Sequence, residues 1–545
     1  MDMIIRPWLS KKHVQDMFTI ICLLCCAVFS LPSQATISGF ADVESTLSKG
    51  KFKEKQRAIS WLVSQGHPDA RDLLAALLER KVVYDKKALQ LWILEGKTAR
   101  RLADSYIHAE PKSLKLRKVT INNAVRRTIN EGIARLELSD TSPEKRLSAV
   151  KRLMTKIDAS TAHILSEQKE NETDNEIKET IELALAIHAV NNLNKHPADK
   201  LKADIVLLGA SALPQAQQVL KQALPKTSNP ELIHAINLSL DQLDQYERLM
   251  RGVETLYFGI SLGSVLVLAG IGLAITFGVM GVINMAHGEL VMLGAYSTYV
   301  MQQLLPGQAG LALLLSIPVA FIVSGSVGML IERTVIRHLY GRPLETLLAT
   351  FGLSLILQQA VRSVFSPLNR SVSTPEFMSG MLEISPMLSL TWNRLYIIAF
   401  CLIVFFSLLL VLKRTALGLQ VRAVSQNRAM ARAMGVRSER VDIMTFGIGA
   451  GVAGIAGVAL SQLTNVGPNM GQAYIIDSFM VVVFGGVGNL WGTLVAGLSL
   501  GIFNKLLEPW AGAVLAKILV LVFIILFIQK RPKGLFPQRG RMAEG

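Results

Sequence analysis

The sequence predicts an all-α protein in two parts: a polytopic α-helical membrane domain of about eight spans over residues 251–545, preceded by an exported α-helical domain over 36–250. Three observations predict it. Half of the 545 residues are hydrophobic and only 18% are charged, too apolar for an ordinary soluble chain and too charged for one wholly in lipid. Charge is unevenly spread, with 34 Lys+Arg and 29 Asp+Glu in residues 36–255 but only 20 and 10 in residues 256–545. The second part also holds uncharged runs such as Leu256 to Met280, longer than the roughly 20 apolar residues that cross a bilayer.

Residues 1–35 have the layout of a signal peptide. Arg6, Lys11 and Lys12 precede an apolar core from Met17 to Leu31, and small residues at Ser33 and Ala35 suit cleavage after Ala35; an uncleaved anchor is the alternative. Cys22, Cys25 and Cys26 lie in that core, so cleavage leaves only Cys401. An exported domain without disulfides needs a packed core of its own. Segments such as Lys55 to Val63 and Asp72 to Leu78 place apolar residues at helical spacing, separated by Gly66-His67-Pro68. Similar pairs follow at Pro143 to Ile164, Ile177 to Leu193, Leu201 to Val219 and Glu231 to Leu243. A HEAT- or armadillo-like solenoid and a plain helical bundle both fit. The polar stretch Glu167 to Glu176 reads as a solvated loop.

In the second part, spans are expected at Leu256 to Met280, Leu290 to Leu305, Gln308 to Ile331, Leu344 to Phe365 and Leu395 to Leu412, with more after Arg440. Basic residues favour the cytoplasmic side. The clusters at 332–343, 413–440 and 530–545 therefore belong inside, and 366–394 belongs outside with the N-terminal domain. The glycine-rich Phe484 to Gly492 fits either a turn or a broken helix.

Between the first two spans stands Ile283-Asn284-Met285-Ala286-His287-Gly288-Glu289. Polar groups inside a membrane are costly and mark pathways, and broken backbone there must be satisfied by protein or a water-lined cavity. Asn284, His287, Gly288 and Glu289 are thus candidate substrate-pathway residues; helix-to-helix hydrogen bonding is the alternative for Asn284 and His287. The loop Lys413 to Arg440 carries seven basic residues and one acid, with strong helix formers from Val421 to Met434 and Gly435 as a stop. Ala423, Asn427, Met430 and Met434 fall on one face of such a helix, and Arg428 and Arg432 on another. It reads either as an interfacial helix on anionic lipid or as a coupling helix that transmits motion from a partner.

Two other patterns fail. Gly96-Lys97-Thr98 resembles the end of a phosphate-binding loop, but Leu91 stands where the first glycine belongs and no preceding strand is expected. His287-Gly288-Glu289 has the H-x-E spacing of zinc deaminases without a following Pro-Cys-x-x-Cys. No catalytic residue, metal site or cofactor is expected, and the net charge of +16 reads as loop orientation rather than nucleic-acid binding.

Three blocks in order carry a family resemblance. Gly272 to Gly278 with Ile283 to Glu289 and Gly294-Ala295-Tyr296, then Arg422 to Asn427 with Ala431 and Gly435, then Val483 to Gly488 with Gly492 resemble the branched-chain amino acid type (LivH-like) ABC importer permeases over about residues 253–535. Asn284-Met285 and Gly488 to Gly492, with the long N-terminal extension, are similar to the urea-importer branch. The resemblance implies a permease subunit in the bacterial inner membrane that works with a second permease subunit, two cytoplasmic ABC ATPase subunits and a periplasmic solute-binding protein. It further implies that Arg422, Ala423, Asn427, Met430, Ala431 and Gly435 belong to the ATPase-coupling loop. Urea is the solute implied; a branched-chain amino acid or short amide permease and a passive solute channel are the alternatives.

Overall fold

The computed structural model describes residues 39–537 apart from 68, 86–88, 96–97, 102–106, 109–115 and 156. The expected signal peptide with its three cysteines, and the tail from 538, lie outside the described residues. The chain divides into two compact units, Met1–Ser211 with Gln215–Ser239 and Ala212–Pro214 with Leu240–Gly545.

The first unit opens with α1 (Phe40–Lys49), α2 (Phe52–Ser64) and α3 (Ala70–Leu78), followed after the strands by α4 (Asn123–Glu137), α5 (Pro143–Leu153), α6 (Ala159–Asn171), α7 (Asn175–Asn191), α8 (Ala198–Ala210) and α9 (Pro214–Ala223). Their starts follow from the sequence: the Asn122, Asp158 and Asp174 side chains accept backbone N–H bonds at the heads of α4, α6 and α7, and Pro143 sits in the first turn of α5. Leu47, Ile59, Leu62, Leu73, Leu74, Val125 and Ile129 are buried together as the core of the first four helices.

Helical periodicity misses a five-stranded antiparallel sheet of order β4-β3-β2-β1-β5, formed by β1 (Val82–Asp85), β2 (Leu91–Glu95), β3 (Thr98–Arg101), β4 (Ile107–His108) and β5 (Leu116–Lys118). Val82 pairs with Ile93 and Val83 with Trp92. The first pair joins the helical core, and the second faces a smaller cluster with Ala99, as strand alternation requires. The signal was the β-branched and aromatic Val82-Val83-Tyr84 and Trp92-Ile93, hidden by strands of two to five residues. It also corrects the reasoning on Gly96-Lys97-Thr98. A strand does precede it, but another follows at Thr98 where a phosphate-binding loop needs a helix; Gly96 and Lys97 themselves lie outside the described residues.

Glu167 to Glu176 is not a solvated loop. Residues 167–171 finish α6, and Glu172 is 4% exposed, accepting from Arg146 Nε and Nη2 at 2.9 Å each and from the Thr173 and Asp174 N–H groups. The Arg146 guanidinium holds this carboxyl down at about 2. The carboxylate therefore stabilises the unit at any pH above its unfolded value near 4.5, and the contribution disappears as pH falls towards 2; the full shift is about 3 kcal/mol. Arg146→Met is expected to lower hydrogen-exchange protection of α5 to α7 in the full chain by about two orders of magnitude at neutral pH. Wild-type protection there would indicate a negligible contribution from the pair.

The chain passes to the second unit within the 51-residue α10 (Pro230–Met280). There follow α11 (His287–Leu304), α12 (Ala309–Thr334), α13 (Pro343–Phe365), a hairpin of β6 (Met381–Ser385) and β7 (Leu388–Thr391), then α14 (Trp392–Arg414), α15 (Ala416–Gln426), α16 (Arg428–Ala433), α17 (Ser438–Ser461), α18 (Met470–Gly485) and α19 (Leu490–Lys530). Among the described residues six helices are long and apolar enough to cross a membrane, and α18 is a shorter apolar one. With the 18-residue α11 and the break in α19 at Gly512 (φ 76°), the membrane helices come to slightly more than the eight expected. Phe484 to Gly492 is a turn, since α18 ends at Gly485 and α19 starts at Leu490.

The most apolar stretches of α10 and α17 are 83% buried, against 22% for α14 and 17% for α19. The first two are central, whereas the others present Leu402, Ile403, Phe406, Val522 and Phe523 outward, as lipid-facing helices do. Close approach at the centre rests on missing side chains: a Cβ on Gly294 would stand 2.0 Å from the Gly454 carbonyl oxygen, so α11 and α17 meet backbone to backbone.

Candidate functional site

α10 ends at Met280, Gly281 takes φ 65°, and residues 281–286 are not helical. This segment doubles back. The next helix begins at His287, whose Nε2 donates to the Ala269 carbonyl at 2.9 Å; Ala269 is 11 residues above the end of α10, or about 16 Å along its axis. On the other side, Glu289 meets Ser354 and Gln358, which lie 11 and 15 residues into α13, or about 16–22 Å. α11 therefore starts near the middle of the membrane and runs towards the 366–391 end, where Gln302 Nε2 donates to Ser373 O.

α18 is its counterpart. It starts beside Gly288 and runs the opposite way, to the level where Gly278 meets Gly488. A Cβ on Gly288 would sit 2.3 Å from the Gly471 oxygen, and one on Gly471 2.7 Å from Glu289 Oε2. Two half-helices thus cross by their N-terminal turns, each of which favours negative charge, and Glu289 stands in the first turn of α11.

All four polar-run candidates are placed here, but not as an open channel wall. Asn284, His287 and Glu289 are each 1% exposed. Asn284 Oδ1 accepts the Ala286 N–H at 3.0 Å; Glu289 Oε1 accepts from Ser354 Oγ at 2.9 Å and Gln358 Nε2 at 2.7 Å. Asn284 Nδ2, His287 Nδ1 and Glu289 Oε2 are buried with no partner among the described residues, an arrangement that leaves acceptors and a donor available. Asn284 borders a cavity of about 130 Å³ walled by Phe277, Ile283, Met285, Ile476 and Phe479, and is the one polar side chain on it. Gly288 serves the helix crossing.

The span expected at Leu344 to Phe365 is present as α13, but its polar stripe did not figure among the expected site residues. Thr346, Thr350, Ser354, Gln358 and Arg362 recur every fourth residue, a polar stripe on one face of an apolar helix. Thr350 Oγ1 accepts the Met285 N–H at 3.1 Å, and Arg362 Nη2 donates to Asn469 Oδ1 at 2.6 Å. The stripe is the partner of the non-helical segment and of the loop entering α18, and its spacing was the available signal.

The basic loop forms two helices rather than one. Asn427 breaks the run with φ −153° and caps α16, its Oδ1 accepting the Met430 N–H at 3.0 Å. This is the ordinary behaviour of Asn, whose side chain competes for backbone. The single small-residue face expected from Ala423, Asn427, Met430 and Met434 is therefore not formed. Ala431 is buried with Val421, Val424 and Val441, Ala423 is half-buried against them, and Gly435 closes α16 at φ 86°. Met430 and Met434 stay 60% and 78% exposed. Arg422 donates to the Leu412 carbonyl. Arg428 grips Asp442 with both terminal nitrogens at 2.8 and 2.9 Å and lies 5.0 Å over the Tyr340 ring; the Tyr340 hydroxyl donates to Glu332 at 3.0 Å. Among the described residues no cluster of His, Cys, Asp or Glu has a metal-holding arrangement.

Comparison with known proteins places the second part of the chain in a family. Residues 255–528 match the family described as branched-chain amino acid transport system / permease component. The high-affinity branched-chain amino acid transport system permease protein BraD of Pseudomonas aeruginosa is 29% identical over 292 residues, 52% of this chain and 95% of that protein. LivH of Escherichia coli K12, with the same description, is 27% identical over 305 residues, 53% of this chain and 96% of the relative. A probable LivH of Methanocaldococcus jannaschii is 27% identical over 285 residues, covering 50% and 88%. No solved structure matches.

Proposed function

Because the chain belongs to the branched-chain amino acid transport system permease family, in which residues 255–528 place it, we propose that it forms the solute pathway of an ATP-driven importer and that its solute is urea. It is a multi-pass membrane transport subunit rather than an enzyme. The observation that carries the reading is the non-helical 281–286 segment at mid-depth, with unpartnered Asn284 Nδ2 and Glu289 Oε2 where two half-helices cross. Interrupted helices at the midplane are the usual construction of transporter sites.

Gly288 and Gly471 close the crossing beside Glu289, and because Glu289 belongs to the block shared with the branched-chain amino acid permeases it does not choose between solutes. A small neutral molecule with both donors and acceptors fits the remaining groups: Asn284 Nδ2 to donate, Glu289 Oε2 to accept. The similarity of Asn284-Met285 and Gly488 to Gly492 to the urea branch supports the same solute. A branched-chain amino acid is the second reading, favoured by the described transport of BraD and LivH.

In this reading residues 36–250 lie outside the inner membrane, a solute-binding protein delivers urea there, and a second permease subunit completes the pathway. Two ATPase subunits dock at the basic loop, where exposed Met430 and Met434 supply adaptable apolar contacts. Uptake of radiolabelled urea and leucine, in cells with and without the chain and before and after ATP depletion, tests it. Loss of ATP-dependent urea uptake alone is expected. Loss of leucine uptake instead would move the solute to the amino acid branch, and urea uptake that survives ATP depletion would make the protein a channel. Met430→Glu is expected to cut uptake at least tenfold with normal protein abundance, since it charges an exposed docking contact; unchanged uptake would remove Met430 from that surface.

A further inference from the structure

A crevice of about 300 Å³ opens beneath the loop helices, lined by the end of α14, the last two turns of α10, α15, and the start of α19 with the turn before it. Its two ends differ in chemistry. At the loop end stand Lys413 and Arg422, with Ser425 and Asn489 beside them; further into the membrane it is walled by Leu409 and Ile275. Leu409 is one turn, about 6 Å, above Lys413. No carboxylate lines the crevice, and Lys413 has no acidic partner among the described residues.

Trp491, also on the wall, is 47% exposed and packs edge-on against Phe405 at 5.2 Å and Phe406 at 6.4 Å. Phe406 and Leu410 are themselves outward-facing. The arrangement is that of a membrane interface, with an aromatic at headgroup depth, two cations at the mouth and an apolar slot leading towards the hydrocarbon.

We propose that this crevice binds one anionic phospholipid, its phosphate between Lys413 and Arg422 and an acyl chain along Leu409 and Ile275. Charge complementarity selects the occupant: two cations without a counter-carboxylate attract an anionic headgroup at an interface, and the apolar extension gives a lipid contacts that a free anion lacks. The site borders the loop that carries α15 and is separate from the Asn284 cavity, so it does not depend on which solute is carried.

The test is titration of the delipidated full-length protein in detergent with dioleoylphosphatidylglycerol or dioleoylphosphatidylcholine, followed by native mass spectrometry. One phosphatidylglycerol is expected to be retained at a concentration at least tenfold below that needed for phosphatidylcholine. Lys413→Glu, a change at an exposed residue, is expected to abolish the preference, and Leu409→Trp, which fills the slot, to lower retention of both lipids. Equal retention of the two lipids by the wild type, or an unchanged preference in Lys413→Glu, would overturn the proposal, as would displacement of the lipid by inorganic phosphate.

Discussion

Glu289→Leu is expected to remove most of the protein from the membrane, and Glu289→Gln to leave it there while lowering uptake per molecule. The carboxyl is 1% exposed and joins α11 to α13 through the Ser354 hydroxyl and the Gln358 amide. Leucine leaves both donors buried and unmet at about 1–3 kcal/mol each, several kcal/mol in a protein whose margin is about 5–15 kcal/mol. Glutamine keeps the volume and a carbonyl oxygen at the position of Oε1, so both bonds of the staple survive. It also replaces an acceptor with an NH₂ at the position of Oε2, against the first turn of α18, where backbone donors already point. Uptake divided by membrane-resident protein separates the two effects. A glutamine variant with wild-type uptake per molecule would reduce Glu289 to a staple.

The residues that argue for transport stood out in the sequence because they break a rule. Asn284, His287 and Glu289 interrupt an apolar run, and polar groups at membrane depth require partners wherever they stand. The partners were harder to see. Thr350, Ser354 and Gln358 each look unremarkable in an amphipathic helix, and only their four-residue spacing against the 284–289 segment gives them meaning; Gly471 is invisible as a site residue because its contribution is an absent side chain. Span positions were legible to within a few residues, since α12, α13 and α14 are set by long uncharged runs ended by basic residues. The length of α11 was legible too, Leu290 to Leu305 expected against His287–Leu304 found, but its start at mid-depth was not, because hydropathy records composition and not depth. In the first unit, the strands at 82–118 escaped for a related reason: their pairing is non-local, whereas periodicity is a local signal.

Arg428→Ala is expected to lower both abundance and transport, and the double variant Arg428→Leu/Asp442→Leu to recover the first without the second. Asp442 is buried at the head of α17, its side chain 1% exposed, while that of Arg428 is 31% exposed. Truncating the arginine strands a buried carboxylate, a change that costs about 3–5 kcal/mol where such pairs have been broken. Replacing both partners with leucine removes the charge altogether and is close to neutral or stabilising in comparable pairs. The double variant nevertheless cuts the bidentate link between α16 and α17, and with it the guanidinium over Tyr340, whose hydroxyl ties to Glu332 near the end of α12. α12 and α17 are the helices against which α11 packs, so this link joins the basic loop to the half-helix crossing, beside the route through α10, whose Val279 packs on the loop-helix cluster and whose Ala269 bonds His287. If the loop transmits partner motion, the double variant accumulates normally yet hydrolyses ATP in the reconstituted complex without driving uptake. Arg428→Lys, which keeps charge but not the two-pronged geometry, is expected to fall between wild type and alanine. Full transport by the double variant would make the pair a structural clamp and route coupling through another contact, with Arg432 to Ser438 the next to test.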